Sequence, residues 1–204
     1  MDFLREEQIR DRAGRYASQR GQTAEEALGA LSKCRQARYD IFLSQTIRDA
    51  EVVLGVYLYL TDKGYKVFCD WIAAPQVDRS EVSPANAAFV RKMMGISDSL
   101  MFLDTQKADE SLWMCWELGW FDGNKGRVCI VPVLRESEEY RAREFLGLYP
   151  YLQVDAIGRL HLKRPVVRSP AGLAVLEAPG SRSFEFWLEG DDPYRTIAFG
   201  LWRE

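Results

Sequence analysis

Apolar residues in the middle of the chain occur in short runs, and helical segments lie between them. Four runs have the length and the β-branched or aromatic content of buried strands, and they lie at residues 38–44, 65–70, 100–103 and 128–133. The segments between the runs carry helix start and stop signals. Because strands and helices alternate through short connections, the pattern predicts a doubly wound α/β domain around a parallel sheet.

Two of the predicted helices have clear boundaries. Thr46 is expected to cap the helix after the first strand, with Asp49 at the acidic third position and Gly64 just beyond the helix end. Ser83 and Pro84 are expected to occupy the N-cap and first positions of the helix before the third strand. A long loop is predicted between the second strand and Ser83.

The two ends of the chain depart from this pattern. Residues 1–37 are predicted to be a charged helical extension, with a capping box formed by Thr23 and Glu26, that packs on the main domain of residues 38–134. Residues 135–204 are expected to form a small α+β extension to which the sequence assigns no chemistry. Its predicted elements are a helix over residues 135–147, a hairpin of residues 151–155 and 159–162, a strand over residues 184–188, and a last helix starting at Asp192 and Pro193.

The predicted helix between the third and fourth strands combines aromatic and acidic residues. Trp113 and Glu117 are four residues apart and therefore share one helix face. An aromatic ring beside a carboxylate suits a flat cationic ring and stabilises positive charge that develops next to it. In a second interpretation, Trp113, Trp116 and Trp120 are packing residues and Glu117 is a solvated helix charge. The residues of this helix alone leave both interpretations open.

Composition excludes several classes of function. The formal net charge of -3 gives no basic surface for nucleic acid. No apolar stretch approaches the roughly 20 residues of a membrane span, and the N-terminus lacks the apolar core of a signal peptide. The one histidine, His161, and four cysteines without paired spacing argue against a metal site. We therefore expect a cytoplasmic protein without a metal, a nucleic-acid partner or a membrane.

The order of these elements resembles a Toll/interleukin-1 receptor (TIR) domain over roughly residues 38–134. It is most similar to the bacterial TIR proteins of the NAD-consuming, Thoeris-like antiphage type. The segments that carry the resemblance are Tyr39–Ser44, Lys63–Tyr65, Val67–Asp70, Met93–Leu103, Trp113–Glu117 and Lys125–Val133. The resemblance implies the flavodoxin-like fold of TIR domains.

The resemblance also implies an activity. In this branch a glutamate on the helix after the third strand is catalytic and follows a tryptophan by four residues, and Glu117 and Trp113 occupy those positions. The implied reaction splits NAD+, which is substrate rather than cofactor, into nicotinamide and ADP-ribose or a cyclic isomer. Further substrate contacts are expected at the carboxyl ends of strands, where open α/β sheets bind ligands. The residues expected there are Ser44, Gln45, Thr46, Arg48, Asp70 and Trp71.

Some of these contacts have a purely structural alternative. Ser44 to Thr46 either bind a pyrophosphate with the following helix N-terminus or only cap that helix. Trp71 either stacks on a base or packs the long loop. Gln45 and Thr46 also stand where many relatives have histidine, tyrosine or arginine, and the long loop lacks the acidic and glycine character that is often found there. These departures affect the substrate contacts more than Glu117.

The chemistry of the implied reaction fits a site with a single carboxylate. Nicotinamide leaves as a neutral molecule from a cationic pyridinium, so no general acid has to protonate it, and the paired carboxylates of glycosidases are unnecessary. One carboxylate can bind the ribose hydroxyls and offset the developing charge. Expected partners are NAD+, other copies of the chain and a downstream effector that senses the product. The alternatives are a non-enzymatic TIR scaffold and an enzyme like nucleoside deoxyribosyltransferase.

Overall fold

The computed structural model describes residues 1–31, 36–46, 49–69, 83–105, 111–141, 144–163 and 181–190. Within these ranges, eight strands form one sheet and six α-helices flank it. In chain order the elements are β1 (Leu4–Arg5), α1 (Glu6–Ser18), α2 (Ala24–Leu31), β2 (Tyr39–Ser44), α3 (Ala50–Thr61), β3 (Val67–Cys69), α4 (Pro84–Gly95), β4 (Ser97–Asp104), α5 (Leu112–Asn124), β5 (Val128–Leu134), a 3₁₀ helix (Glu144–Leu148), β6 (Tyr151–Val154), β7 (Leu160–Lys163), β8 (Arg182–Ser183) and α6 (Phe184–Glu189).

The centre of the sheet is parallel, in the order β3-β2-β4-β5-β6. Two antiparallel strands, β7 and β8, extend the sheet beyond β6, and β1 pairs with the end of β5. The order of the five parallel strands is that of the flavodoxin-like fold, so the predicted fold class is confirmed. The strand order reverses between β2 and β4, and ligands bind at such a reversal in open α/β sheets.

Helices cover both faces of the sheet. Ile41 and Leu43 of β2 face the core that contains α1, α2 and α3. Phe42, between them, faces the core that contains α4 and α5. Because neither face of β2 meets solvent, its sequence is a continuous apolar run instead of an alternating one.

The N-terminal helices add a further layer over α3. Ile9 of α1 and Leu28 of α2 are buried in the same core as α3. The backbone of α1 crosses α3 at Gly55, where a Cβ atom would come within 2.6 Å of the Ile9 Cγ2 atom. Since α3 lies between the sheet and α1, it is apolar around most of its circumference. The N-terminal segment thus packs on the main domain, and the boundary at residue 37 stays a prediction.

Two of the predicted helix starts are confirmed. The Thr23 backbone N–H donates to the Glu26 carboxylate at 2.9 Å, and the Glu26 N–H donates to the Thr23 hydroxyl at 3.2 Å. These reciprocal bonds are the capping box. At α4 the Ser83 hydroxyl accepts a hydrogen bond from the Asn86 N–H at 3.2 Å. Both caps satisfy backbone N–H groups that have no partner within their helix.

The predicted start of α3 is wrong by three residues. Asp49, and not Thr46, is the N-cap, and its carboxylate accepts a hydrogen bond from the Val52 N–H at 3.2 Å. An Asp at the N-cap accepts a hydrogen bond from a first-turn backbone N–H as a threonine cap does, and its charge also suits the helix dipole. Arg10 of α1 contacts this carboxylate and so favours the later start.

In the C-terminal part, the predicted hairpin is confirmed and the predicted strand is wrong. β6 and β7 pair antiparallel around Gly158, whose φ of 82° suits a glycine. The segment predicted as a strand is the helix α6. Phe184 and Trp187 are both buried, whereas Phe186 is 70% exposed. A spacing of three residues places the two buried rings on one helix face. In an extended strand, side chains three residues apart would point to opposite faces.

The helix predicted over residues 135–147 is also largely wrong. The Arg135 N–H donates to the Glu138 carboxylate at 3.1 Å, and the Glu138 N–H donates to the Arg135 carbonyl at 3.1 Å. This local turn competes with helix formation, and a 3₁₀ helix follows it at Glu144–Leu148. The loop predicted from Trp71 and the last helix at Asp192 lie outside the described residues.

An ion-pair network joins α1 to its surroundings and predicts a pH dependence of stability. Burial raises the pKa of Glu6, but the hydrogen bonds from Arg10 and Arg135 together lower it by more than burial raises it. The pKa of Glu6 in the folded protein is therefore below its usual value. A carboxylate with a lowered folded-state pKa stabilises the fold above its unfolded pKa and loses that contribution as pH falls through the folded value. The free energy of unfolding is therefore expected to fall between about pH 5 and pH 3.

In the Glu6→Gln variant the free energy of unfolding should decrease less over this pH range than in the wild-type protein. Urea unfolding at each pH measures the difference. The Glu7→Gln variant is the matched control, because Glu7 is the exposed neighbour in the same helix turn. Equal pH profiles for the wild-type protein and Glu6→Gln would contradict this assignment.

Candidate active site

Polar side chains are buried at the carboxyl edge of the sheet, where β2 and β4 lie side by side. Ser44 ends β2 and is 1% exposed, and Asp104 ends β4 and is 0% exposed. By the alternation of strand residues, both are on the face that α4 and α5 cover, the face of Phe42 and Phe102. This position is the strand-order reversal that the fold makes available for a ligand.

Glu117 reaches the same place from α5. Its side chain is 2% exposed, and its Oε2 atom accepts a hydrogen bond of 2.6 Å from the Ser44 hydroxyl. The interpretation of Glu117 as a solvated helix charge is therefore wrong. Burying a carboxylate costs several kcal/mol unless it is paired or hydrogen-bonded. A buried acid at a strand-order reversal is a typical functional group.

The apolar residues of α5 explain why Glu117 points inward. Met114, Leu118 and Phe121 are buried in the core that this helix shares with the sheet. They recur at the spacing of one helix face, and Glu117 lies on that face between Met114 and Leu118. Packing of the three apolar side chains therefore fixes the direction of the carboxylate toward β2.

The three tryptophans of α5 occupy different environments. Trp116 and Trp120 are partly buried and pack against the core. Trp113, in the first turn, lies edge-on to Trp116 with ring centroids 5.3 Å apart. Its indole Nε1–H is buried and has no hydrogen-bond partner in the described parts of the chain. Core packing thus accounts for Trp116 and Trp120. Trp113 is not part of that core and precedes the buried Glu117 by four residues.

The other residues predicted for the site fall into two groups. Gln45 is 1% exposed and Thr46 is half-buried, and both directly follow Ser44. Three others lie outside the described residues, so their roles stay predictions; they are Arg48, Asp70 and Trp71. The structure therefore brings together Ser44 and Glu117. Gln45 and Thr46 directly follow Ser44, and Trp113 precedes Glu117 by four residues on α5.

The N-terminus of α3 does not favour the pyrophosphate that the sequence suggested. Asp49 caps it, and Glu51 lies in its first turn. These two carboxylates already complement the positive end of the helix dipole. A pyrophosphate at this position would meet negative charge. Because Asp49 caps the helix, the interpretation that Ser44 to Thr46 only cap it is wrong, and their role as substrate contacts stays a prediction.

Sequence reasoning missed Asp104, the other acidic side chain that is buried in the described part of the chain. Its Oδ2 atom accepts a hydrogen bond of 3.1 Å from the Tyr140 hydroxyl, and the Tyr140 ring lies edge-on to Tyr151 at 4.9 Å. The signal was present, because an acidic residue follows the run Leu100–Leu103 as Ser44 follows the apolar run of β2. The tail that begins at residue 135 therefore contributes to this edge.

Metal-binding groups and membrane-spanning helices are both absent from the described residues. No group of three His, Cys, Asp or Glu side chains is placed to hold a metal ion there. None of the helices in those ranges combines the length and the apolar character that crossing a membrane requires.

The strands of the core follow a flavodoxin-like order, and a buried glutamate is hydrogen-bonded to the end of the first core strand. No protein-family model matches the chain. The chain is 48% identical over 116 residues to a Bacillus cereus (strain MSX-D12) protein named "Probable 3' cyclic ADP-D-ribose synthase ThsB'". It is 26% identical over 81 residues to a Cytobacillus dafuensis protein named "Putative cyclic ADP-D-ribose synthase TIR2".

These matches cover only parts of the proteins. The first covers 56% of this chain and 60% of the Bacillus cereus protein, and the second covers 39% of this chain and 21% of the Cytobacillus dafuensis protein. The chain thus spans less than two thirds of either relative. The resemblance to bacterial Thoeris-like TIR proteins is confirmed by these relatives.

Proposed function

We propose that the chain is an NAD+ glycohydrolase or cyclase that cleaves the bond between nicotinamide and ribose. The observation that carries the proposal is the buried Glu117 carboxylate, which the Ser44 hydroxyl holds at 2.6 Å beside the strand-order reversal. The names of the two relatives, both cyclic ADP-D-ribose synthases, support the same class of reaction. NAD+ is the substrate in this proposal, and no cofactor takes part.

The proposed mechanism needs one negative charge in a fixed position. The electron pair of the C–N bond moves to the pyridinium nitrogen, nicotinamide leaves as a neutral molecule, and positive charge develops on the ribose. Glu117 binds the ribose hydroxyls and stabilises this charge. Ser44 fixes the carboxylate before the substrate arrives, so little reorganisation is needed during the reaction. Attack by water gives ADP-ribose and releases one proton.

Cyclisation differs from hydrolysis only in the nucleophile. If a hydroxyl of the adenosine ribose attacks the cationic carbon, a new C–O bond closes the ring and the hydroxyl proton is lost. Burial favours this route, because a site that excludes water leaves the substrate's own hydroxyl as the nearest nucleophile. We therefore propose a cyclic ADP-ribose isomer as the main product, with ADP-ribose as a by-product.

The remaining contacts of the proposal surround this carboxylate. Trp113 offers an aromatic face for the nicotinamide or adenine ring, and Gln45 and Thr46 contact the substrate from the segment after β2. Arg48, Asp70 and Trp71 are proposed as further substrate contacts. The product is proposed to act on a downstream effector in antiphage defence in the cytoplasm, with the enzyme activated by self-association.

Incubation of the purified chain with NAD+, followed by mass identification of the products, tests the proposal. We expect nicotinamide together with a cyclic product that is lighter than ADP-ribose by one water. The assay should run over a range of protein concentrations and with a crowding agent, because activation by assembly raises the specific activity. No nicotinamide under any of these conditions would favour a non-enzymatic scaffold. Transfer of deoxyribose between added nucleosides and bases would favour the deoxyribosyltransferase alternative.

A further inference from the structure

Arg10, on the N-terminal helix α1, holds three carboxylates at once. Its Nη1 atom donates to Asp49 and to Glu51, each at 2.9 Å, and its Nη2 atom also contacts Asp49. Its Nε atom donates to Glu6 at 2.9 Å. Glu6 is in turn held by Arg135, one residue beyond β5. The guanidinium therefore joins the start of α1, the end of β5 and the start of α3.

The two-pronged contact with Asp49 falls close to the candidate active site. Asp49 is the N-cap of α3, and only four residues separate it from Ser44. Ser44 itself is held by Glu117. In sequence, Gln45 and Thr46 thus lie between Ser44, which binds the proposed catalytic carboxylate, and Asp49, which binds Arg10.

The geometry of this contact distinguishes it from the other ion pairs of α1. A guanidinium bound through two nitrogens fixes both distance and orientation, which a single point contact does not. The Arg10 side chain is 34% exposed. In the Arg15–Asp11 pair of the same helix the side chains are 69% and 64% exposed. Such open pairs contribute little to a structure.

We propose that Arg10 is a positioning residue for NAD+ binding, which acts by fixing the N-cap of α3 and with it the segment of Gln45 and Thr46. The inference rests on the proposed function of the site. It assigns the N-terminal extension a role in substrate binding, because no residue of the main domain replaces the Arg10 contact in the described structure. Arg10 touches none of the reacting atoms, so its loss should act on affinity more than on the chemical step.

The test compares Arg10→Met, Arg10→Lys and Asp49→Asn with the wild-type chain, and Arg15→Met is the matched control. In Arg10→Met we expect KM for NAD+ to rise about tenfold while kcat stays within about twofold. Arg10→Lys keeps the charge but loses the two-pronged contact, so it should recover only part of the affinity. Asp49→Asn keeps an N-cap side chain and should also raise KM, and the Arg10→Met/Asp49→Asn pair should not be additive.

A second readout is independent of turnover. NAD+ affinity measured by calorimetry in the Glu117→Gln background should fall by the same factor when Arg10→Met is added, and should not change when Arg15→Met is added. If Arg10→Met fails to fold, Arg10→Lys and Asp49→Asn decide the question. Unchanged KM and affinity in these variants, or a loss confined to kcat, would overturn the inference. An inactive wild-type chain would instead refute the proposed function.

Discussion

Replacing Glu117 with glutamine is expected to reduce nicotinamide release from NAD+ by about two to three orders of magnitude. Glutamine has nearly the same shape and can still accept the hydrogen bond of Ser44, but it carries no negative charge to offset the ribose cation. The fold should be retained or slightly stabilised, because the variant no longer buries a charge. Initial rates of nicotinamide release and thermal unfolding curves, measured on the same preparation, test both parts.

The matched control is Glu25→Gln on α2, which removes an exposed carboxylate and should leave the rate unchanged. The control matters because both variants change the net charge by the same amount. If Glu117→Gln released nicotinamide at the wild-type rate, the buried carboxylate would have no part in the chemistry. The activity would then have to be assigned to another group.

Replacing Gly55 with alanine is expected to lower the free energy of unfolding by about 3 kcal/mol or more. The new Cβ atom would lie 2.6 Å from the Ile9 Cγ2 atom and closer still to the Ile9 carbonyl oxygen. A side chain can rotate away from such a clash, but a backbone oxygen cannot move without the rest of α1. The two helices would have to separate, which breaks the packing between them. Urea unfolding followed by circular dichroism measures the loss.

Gly14→Ala on the exposed side of α1 provides the control for helix propensity. A Cβ atom at Gly14 would meet nothing within 4 Å, so alanine should stabilise the helix by up to about 1 kcal/mol. The opposite signs of the two glycine-to-alanine changes would separate the close contact from the intrinsic effect. Equal stability of Gly55→Ala and the wild-type chain would show that α1 can shift without loss.

The regular part of the fold was predictable because its signals are local. Buried parallel strands are continuous apolar runs, and the capping residues at Thr23 and Ser83 act on N–H groups only three residues away. The start of α3 was misplaced because Thr46 and Asp49 are both good caps. The choice between them depends on Arg10, which is 39 residues away from Asp49 in sequence.

The candidate site was predictable only in part, for a related reason. The spacing of Trp113 and Glu117 indicated a shared helix face, but spacing alone does not show whether that face is buried. Its burial depends on Ser44, 73 residues away in sequence, and on the packing of Met114 and Leu118. Asp104 was missed because a single acidic residue after a strand is common in surface turns. Its burial depends on Tyr140, in a segment that was wrongly predicted to be helical.

Since α3 is enclosed by the sheet on one side and by α1 and α2 on the other, its outward surface is as apolar as its inward surface. In a homologous domain without these N-terminal helices, water would reach that outward surface, and selection should favour charged residues there. The polarity of this one helix therefore serves as a diagnostic character for any related sequence. If this helix is apolar on all sides in a related sequence, we expect N-terminal helices that cover it. If it is amphipathic, we expect those helices to be absent.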